Sequence, residues 1–164
     1  MKASPTIRPA NGKDVALILA LIRELAEYEK LAHEVVATEA LLEETLFGPE
    51  PRAFVLIAEV GGAPAGFALF FHNYSTFLGR PGIYLEDLFV RPAFRGSGIG
   101  RALLSRLAAI ATSRGCGRLE WAVLDWNESA VGFYRNLGAV AMSDWIVHRL
   151  AGEPLARLAE SGRD

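Results

Sequence analysis

The stretch "FVRPAFRGSGIGRALL", residues 89–104, holds three arginines and three glycines between two apolar runs. The run before it, "IYLEDLFV", is rich in aromatic and β-branched residues and is typical of a strand. From its end onward, Leu103, Leu107 and Ala111 recur at helical spacing. The stretch therefore predicts a strand, a glycine loop and a helix that begins near Ile99.

A glycine loop that ends in a helix exposes several backbone N–H groups that have no partner within the helix. These donors and the helix dipole favour an anion, and glycines let the backbone approach a phosphate closely. A P-loop would need Lys and then Ser or Thr, but Arg101 and Ala102 follow. A dinucleotide fingerprint would need GxGxxG, whereas this loop has GxGxG. A glycine turn without a ligand would leave the flanking arginines without a purpose.

The rest of the chain alternates between helical and strand patterns. A short strand at Thr6–Arg8 precedes an amphipathic helix from Val15 to Leu25, and "ATEALLEETLFG" predicts a second helix with Thr38 as its N-cap. Two strands, "RAFVLIAEV" and "GFALFFHNYS", are joined by "GGAPA", which indicates a hairpin.

After the glycine loop and its helix, "RLEWAVLD" predicts a strand, "ESAVGFYRNLG" a helix capped by Asn127, "AVAMSDWIVHRL" a final strand and "EPLARLAES" a short helix. The order βααβββαβαβ predicts an α/β fold with a mixed sheet and helices packed on its faces. The length of 164 residues with 51% hydrophobic content predicts a single domain over residues 1–164.

The overall charge is close to neutral, with a formal net charge of −2. We therefore expect no nucleic-acid partner. The single cysteine fits a reducing compartment, and no apolar run is long enough for a signal peptide or a membrane span, so we expect a cytoplasmic protein without a membrane partner. His33, His72 and His148 lie far apart in the sequence, so we expect no metal site.

The charges are unevenly placed along the chain. Between Arg23 and Glu44 there are seven glutamates against one arginine and one lysine, whereas between Arg91 and Arg118 there are six arginines and no acid. This asymmetry fits either two differently charged ligands or two differently solvated faces. Arg91 itself is expected to be a solvated flank of the loop.

The loop resembles the R/Q-x-x-G-x-G/A signature of the GNAT superfamily of acetyl-CoA-dependent N-acetyltransferases. Arg95, Gly98 and Gly100 match it, and the predicted element order is similar to the GNAT fold, a mixed and mostly antiparallel sheet with helices on both faces. The resemblance implies acetyl-CoA as cosubstrate, with its pyrophosphate bound by the loop. The implied binding residues there are Arg95, Gly96, Ser97, Gly98, Ile99, Gly100 and Arg101.

A second motif, "DWNESAVGFYRNLGA", resembles the family region that carries an asparagine near the cofactor and a tyrosine beside its sulfur. Asn127 and Tyr134 occupy those positions, so Tyr134 is implied as the proton donor to the leaving thiolate. The main chain of Leu88, Phe89 and Val90 resembles the segment that pairs with the pantetheine arm and polarises the carbonyl.

"RELAEYEK", "YLEDLFV" and "DWNE" together resemble the diamine, or spermidine/spermine, acetyltransferase branch and its thialysine-acetylating relatives. By that resemblance Tyr28, Glu29, Asp125 and Trp126 contact the substrate. Ser129 stands where the branch commonly has proline, so the resemblance does not identify the amine substrate. Homodimerisation is expected from the same branch.

Glu86 is the first candidate for the group that deprotonates or anchors the amine. An alkylammonium has a pKa near ~10, so a base or a water chain must remove its proton near neutral pH. On an ideal strand Tyr84, Glu86, Leu88 and Val90 share one face and Leu85, Asp87 and Phe89 the other, so the adjacent acids would not face the same cleft. The resemblance selects Glu86.

The expected function is therefore acetyl transfer to a small primary amine, with a di- or polyamine as the main expectation. Two alternatives remain. One is an acetyltransferase for an amino-acid-like amine such as thialysine, and the other is a non-catalytic acyl-CoA-binding module.

Overall fold

The computed structural model describes residues 4–162. In that part of the chain the strands are β1 (Thr6–Pro9), β2 (Phe54–Val60), β3 (Ala63–Ser75), β4 (Arg80–Val90) and β5 (Leu119–Trp121). The helices are α1 (Val15–Tyr28), α2 (Glu39–Phe47), α3 (Ile99–Ser113), α4 (Glu128–Asn136) and α5 (Gly152–Glu160). No helix among these described residues is long and apolar enough to cross a membrane.

The described strands form one sheet in the order β1-β2-β3-β4-β5. Neighbouring strands are antiparallel except β4 and β5, which are parallel and pair over Ile83–Leu85. The predicted hairpin between β2 and β3 turns at Gly61 and Gly62, which both have positive φ, a conformation that glycine adopts without steric cost. The mixed, mostly antiparallel sheet confirms the predicted fold class.

One face of the sheet is covered by α1 and α2. The apolar stripe of α1 and the end of α2 pack against inward side chains of β2, β3 and β4, because alternate strand residues point to the same face. This cluster consists of Ile18, Leu21, Leu25, Leu46, Val55, Ile57, Phe67 and Phe89. Thr38 caps α2 as predicted, since its Oγ1 accepts a hydrogen bond from the N–H of Leu41 at 3.2 Å.

Helix α3 packs against strands β1 to β5 with an apolar face that includes Ile99, Leu103 and Leu107, all at most 1% exposed. Its helical spacing and its end before Gly115 agree with the sequence prediction. The helix therefore begins at the glycine loop and is anchored along its length by the sheet, which holds the loop in place.

The ladder between β3 and β4 contains a β-bulge that the sequence did not predict. Leu85 lies opposite Phe70, and Asp87 lies opposite Leu69, so Glu86 is an extra residue in β4. Residues directly opposite each other share a face, and consecutive residues of β3 point to opposite faces. Leu85 and Asp87 therefore lie on opposite faces, and the expectation that they share one is wrong, because it assumed unbroken alternation.

The expectation that Arg91 is a solvated flank is also wrong. Arg91 donates from Nε and Nη2 to the two carboxylate oxygens of Glu24 on α1, at 2.9 and 2.7 Å, and from Nη1 to the carbonyl of Pro64 at 2.9 Å. Glu24 holds the pKa of Arg91 above its usual range. The residue that follows β4 thus ties the strand to α1.

Residues 123–162 form a second compact unit, here called the C-terminal unit, and the residues up to Ala122 form the sheet unit. The C-terminal unit contains α4 and α5, as predicted, but residues 139–150 form no strand, which corrects the expectation for "AVAMSDWIVHRL". Val, Ile and Trp favour strands, but a strand forms only where a neighbour supplies the hydrogen-bond ladder. One domain over residues 1–164 stays a prediction.

Candidate active site

The glycine loop has the backbone geometry of an open anion-binding turn. Gly96 and Gly98 have φ of +74° and +83°, where a side chain would be strained, and no atom lies within 4 Å of the position that a Cβ would take at either residue. Gly98 is the N-cap of α3, and its carbonyl accepts the first helical hydrogen bond, from Ala102, at 2.9 Å. The amides of Ile99, Gly100 and Arg101 therefore start the helix directly after Gly98, whose Cβ position is open.

The residues between the two glycines and the helix contribute polar groups of different kinds. The Ser97 hydroxyl donates to the carbonyl of Phe94 and so closes the turn. Arg101 is exposed in the first turn of α3, next to the helix amides. The cofactor-binding candidates Gly96 to Arg101 are thus brought together in one loop, which fits a phosphate group.

Arg95 is placed differently from the rest of the loop. Its Nε donates to the carbonyl of Val90 at 2.9 Å, and its guanidinium lies 4.6 Å from the ring centroid of Tyr28 and 5.7 Å from that of Phe89. The structure therefore brings the first residue of the loop signature, the end of β4 and the predicted substrate residue Tyr28 together.

Three carboxylates lie at the end of α1 and at the bulge of β4: Glu29, Glu86 and Asp87, and the first two both act electrostatically on Asp87. Burial, and then the charges of Glu86 and Glu29, raise the pKa of Asp87 to about 6. Burial also raises the pKa of Glu29, while Glu86 is exposed. The structure thus places predicted residues Glu29 and Glu86 in one negative cluster, here called the acidic cluster.

Asp87 is a residue of the acidic cluster that the sequence analysis did not predict as part of the site. It shares a sheet face with Phe89 and Leu69, the face covered by α1, because the bulge separates it from Leu85. The adjacent acids in "LEDLFV" were a visible signal, but the assumption of regular alternation turned Asp87 away from Glu86. A bulge depends on pairing with β3, which alternation within β4 cannot reveal.

The main chain of Leu88, Phe89 and Val90 extends beyond the residues of β4 that pair with β5. On the β3 side these residues pair with Ala68, Phe67 and Gly66. A Cβ at Gly66 would come within 2.3 Å of the Phe89 carbonyl oxygen, so glycine there permits the close approach of the two strands.

Four predicted site residues belong to the C-terminal unit: Asp125, Trp126, Asn127 and Tyr134. Asn127 caps α4, because its Oδ1 accepts a hydrogen bond from the N–H of Ala130 at 3.3 Å. Trp126 is 46% exposed in the turn before the helix. The Tyr134 ring lies on α4 with its centroid 5.4 Å from that of Phe133.

Comparison with known protein families matches residues 18–139 to the acetyltransferase (GNAT) family. The chain belongs to the GNAT acetyltransferases. A thialysine N-epsilon-acetyltransferase from Mus musculus is 40% identical over 168 residues, which cover 96% of this chain and 98% of the relative. A human spermidine/spermine N(1)-acetyltransferase-like protein 1 is 35% identical over 93% of this chain and 23% of its own length.

Among solved structures, an integron cassette protein from the mobile metagenome of V. cholerae superposes with a TM-score of 0.80 at 27% identity, covering 96% of this chain and 98% of the other. The family match and the N-acetyltransferase relatives show that this chain is an acetyl-CoA-dependent N-acetyltransferase with the GNAT fold. That assignment favours an enzyme over the non-catalytic acyl-CoA-binding module.

Acetyl-CoA is the cosubstrate of GNAT acetyltransferases. The glycine loop at the start of α3 fits its phosphates, since glycines with positive φ lead there into helix amides that have no partner within the helix. Within residues 4–162 no three His, Cys, Asp or Glu side chains form a group that could hold a metal ion. The expectation that the reaction needs no metal stays a prediction.

Proposed function

We propose that the protein transfers the acetyl group of acetyl-CoA to the side-chain amine of an amino-acid-like substrate of the thialysine type. The similarity to a thialysine N-epsilon-acetyltransferase over nearly the whole of both chains supports this substrate class. The observation in the structure that carries the proposal is the acidic cluster of Glu29, Glu86 and Asp87 beside Tyr28.

The acidic cluster supplies the charge that attracts a cationic amine. Glu29 and Glu86 both act on Asp87, and carboxylates arranged in this way create a negative potential that raises the local concentration of cations. Asp87 is neutral for part of the time near pH 6, because its pKa is about 6, and carries its charge at higher pH. The cluster therefore attracts the amine most strongly above that pH, and added salt weakens the attraction.

Glu86 is proposed as the group that accepts the proton from the amine, directly or through water, or that anchors the ammonium. The bulge leaves Glu86 without a partner residue in β3, and its side chain is exposed at the acidic cluster. A carboxylate in that place can take a proton from a bound ammonium or hold it in position for attack on the thioester.

The cosubstrate would be held by backbone groups of the sheet unit. We propose that the amides of the loop from Gly96 to Arg101 bind the pyrophosphate and that the main chain of Leu88, Phe89 and Val90 pairs with the pantetheine arm. The part of β4 beyond its pairing with β5 supports this, since residues 88–90 pair with β3 on one side and have no β5 partner on the other. Preorganised N–H groups there would stabilise the developing oxyanion.

Tyr134 is proposed as the donor of the proton that the coenzyme A thiolate receives, with Asn127 near the cofactor and Asp125 and Trp126 at the substrate. These four roles rest on the resemblance of "DWNESAVGFYRNLGA" to the family region. Positioned proton transfer accounts for about 10²–10⁴-fold in rate, so Tyr134 would affect turnover much more than binding.

The test is release of free thiol from acetyl-CoA across a panel of thialysine, lysine, ornithine, diamines and polyamines. We expect the highest kcat/KM for thialysine or a close analogue, with a loss of about 10²-fold or more in kcat for Tyr134→Phe and Glu86→Gln. Tyr74→Phe and Glu50→Gln are matched controls, because both side chains are exposed. Unchanged turnover in Tyr134→Phe would remove its assigned role.

A di- or polyamine is the second candidate substrate, and it was the main expectation from the sequence. The similarity to the spermidine/spermine N(1)-acetyltransferase-like protein supports it, over a smaller share of that relative's length. The same panel decides: a higher kcat/KM for spermidine than for thialysine would establish the polyamine function. Thiol release with none of these amines, while coenzyme A still raises Tm, would contradict both.

We also propose a cytoplasmic homodimer. Large apolar side chains of the C-terminal unit are exposed, among them Val140, Trp145, Ile146 and Val147. Such a set of exposed apolar groups is typical of an interaction surface. Sedimentation should show a dimer that Trp145→Ser weakens and that Phe77→Ser, a change at a 99% exposed residue of the sheet unit, leaves intact; a monomer at all concentrations would contradict the proposal.

A further inference from the structure

Arg95 opens the glycine loop, but its side chain points away from the loop and toward the end of α1. The hydrogen bond from its Nε to the Val90 carbonyl, 2.9 Å long, fixes one edge of the guanidinium. Its central carbon, Cζ, then lies 4.6 Å from the centroid of the Tyr28 ring and 5.7 Å from that of Phe89. Both distances are within the range of about 6 Å in which a cation is attracted to an aromatic face.

This contact joins two parts of the site that are far apart in sequence. Tyr28 is the last residue of α1, and its side chain is 37% exposed at the end of the helix. Glu29 follows it directly and acts on Asp87 in the acidic cluster. A guanidinium held by the end of β4 therefore contacts the Tyr28 ring directly beside the first carboxylate of the acidic cluster.

The remaining loop has phosphate-binding groups without the Arg95 side chain. The amides at the start of α3 follow the open turn of Gly96 and Gly98, and Arg101 is exposed in the first turn of the helix. A glutamine at the position of Arg95 also satisfies the R/Q-x-x-G-x-G/A pattern, although glutamine carries no charge for a phosphate. The charge of Arg95 is thus available for another task.

We propose that Arg95 is a positioning residue for the amine substrate: its guanidinium, held by the Val90 carbonyl, fixes the Tyr28 ring at the acidic cluster. This inference rests on the proposed function, because it assumes that the amine binds there. Phosphate binding then belongs to the loop amides and Arg101. Arg95 affects the amine through Tyr28, and it does not itself contact the reacting atoms.

The test compares Arg95→Gln with Arg101→Gln, which remove the same charge six residues apart. For Arg95→Gln we expect the KM for thialysine to rise about 3- to 10-fold, the size of effect that a lost cation–π contact and one hydrogen bond produce. The Kd for coenzyme A, measured by calorimetry, should change less than about 2-fold in the same variant. Arg101→Gln should show the reverse pattern.

Two further variants separate positioning from a general structural role. Arg95→Lys keeps the charge but loses the planar stack, so it should recover part of the thialysine KM. Tyr28→Leu should raise that KM, and the double variant Arg95→Gln/Tyr28→Leu should be no worse than the poorer single variant, because both remove the same contact. A 10-fold loss of coenzyme A affinity in Arg95→Gln with the amine KM unchanged would overturn the proposal.

Failure of the proposed function can be told apart from failure of this inference. If no amine is acetylated, the coupling of Arg95 and Tyr28 is still measured by urea unfolding of the two single variants and the double variant. Non-additive losses in the free energy of unfolding would establish the contact, and additive losses would show that Arg95 does not hold Tyr28, whatever the enzyme acetylates.

Discussion

The sheet unit and the C-terminal unit differ in the burial of their apolar side chains. In the sheet unit the buried apolar side chains lie between Val15 and Ala111, and many are fully inaccessible. Among residues 123–162, by contrast, none is buried, and Trp145 is 76% exposed. Both units contain amphipathic helices, so amphipathicity alone does not decide burial.

The difference shows that burial of an apolar side chain requires a surface for it to pack against. In the sheet unit, antiparallel strands provide a continuous surface whose two faces are each matched by a helical stripe. Residues 139–150 have the composition of a strand, but they are not part of any sheet ladder among the described residues. An apolar side chain is therefore buried where a complementary surface exists.

The largest expected effect is on the free energy of unfolding, when truncation of the buried Phe67 is compared with truncation of the exposed Trp145. Phe67→Ala should lower the free energy of unfolding by about 3–5 kcal/mol, because Phe67 is 0% exposed in the core on α1. Trp145→Ala should change it by less than about 0.5 kcal/mol when measured on dilute, monomeric protein. Urea unfolding measures both, and equal losses would remove the contrast between the two units.

The sheet unit also contains a partly buried carboxyl group whose pKa is raised, at Asp87. Asp87 has a pKa of about 6 in the folded chain against an ordinary value of 3.8, so the folded state binds the proton more tightly. The contribution of Asp87 to the free energy of unfolding should therefore be fully present below about pH 4 and should be lost, by about 2 kcal/mol, as the pH rises through 6, an amount reduced because Asp87 is partly accessible.

Urea unfolding from pH 4 to pH 8 measures this dependence, and Asp87→Asn should flatten it. Asp144→Asn, at an exposed position of the C-terminal unit, is the matched control and should leave the curve unchanged. A curve that stays the same in Asp87→Asn would show that the pKa of Asp87 is not raised by folding.

A third comparison uses one glycine from each unit. Gly98 and Gly138 have φ of +83° and +89°, so alanine at either position costs about 1–2 kcal/mol of local strain. For Gly98→Ala we expect this loss in global unfolding and a weaker affinity for coenzyme A in calorimetry. Gly138→Ala should leave that affinity unchanged. An equal loss of affinity in both would contradict the assignment of the phosphate site to the loop.

The smallest expected effects come from the helix N-caps. Thr38→Ala and Asn127→Ala each remove an N-cap hydrogen bond, at α2 and α4, and each should cost about 1 kcal/mol. In hydrogen exchange, we expect Thr38→Ala to lower the free energy of the global opening that exposes α2. Asn127→Ala should instead speed local opening of α4, because α4 has no buried residue. Equally local opening at both helices would mean that the units do not differ in cooperativity.

Much of the fold could be predicted from the sequence because it depends on local patterns. The helical spacing in α1 and α3, the N-caps at Thr38 and Asn127 and the turn at Gly61 and Gly62 involve residues a few positions apart. The glycine loop belongs to the same class, and its signature indicated the family that the comparison with known families confirmed. N-cap hydrogen bonds and helical spacing depend on residues only a few positions apart, so they can be recognised in the sequence.

The tertiary structure alone decided the features that depend on distant partners. The bulge at Glu86 is defined by pairing with β3, and it turns Asp87 toward α1. Arg91 reaches Glu24 and Arg95 reaches Tyr28, each across 67 positions of sequence, and no periodic pattern encodes such a meeting. The sequence by itself determined the loop and the elements around it, whereas packing determined which charges stand together, because electrostatic contacts act through space and not along the chain.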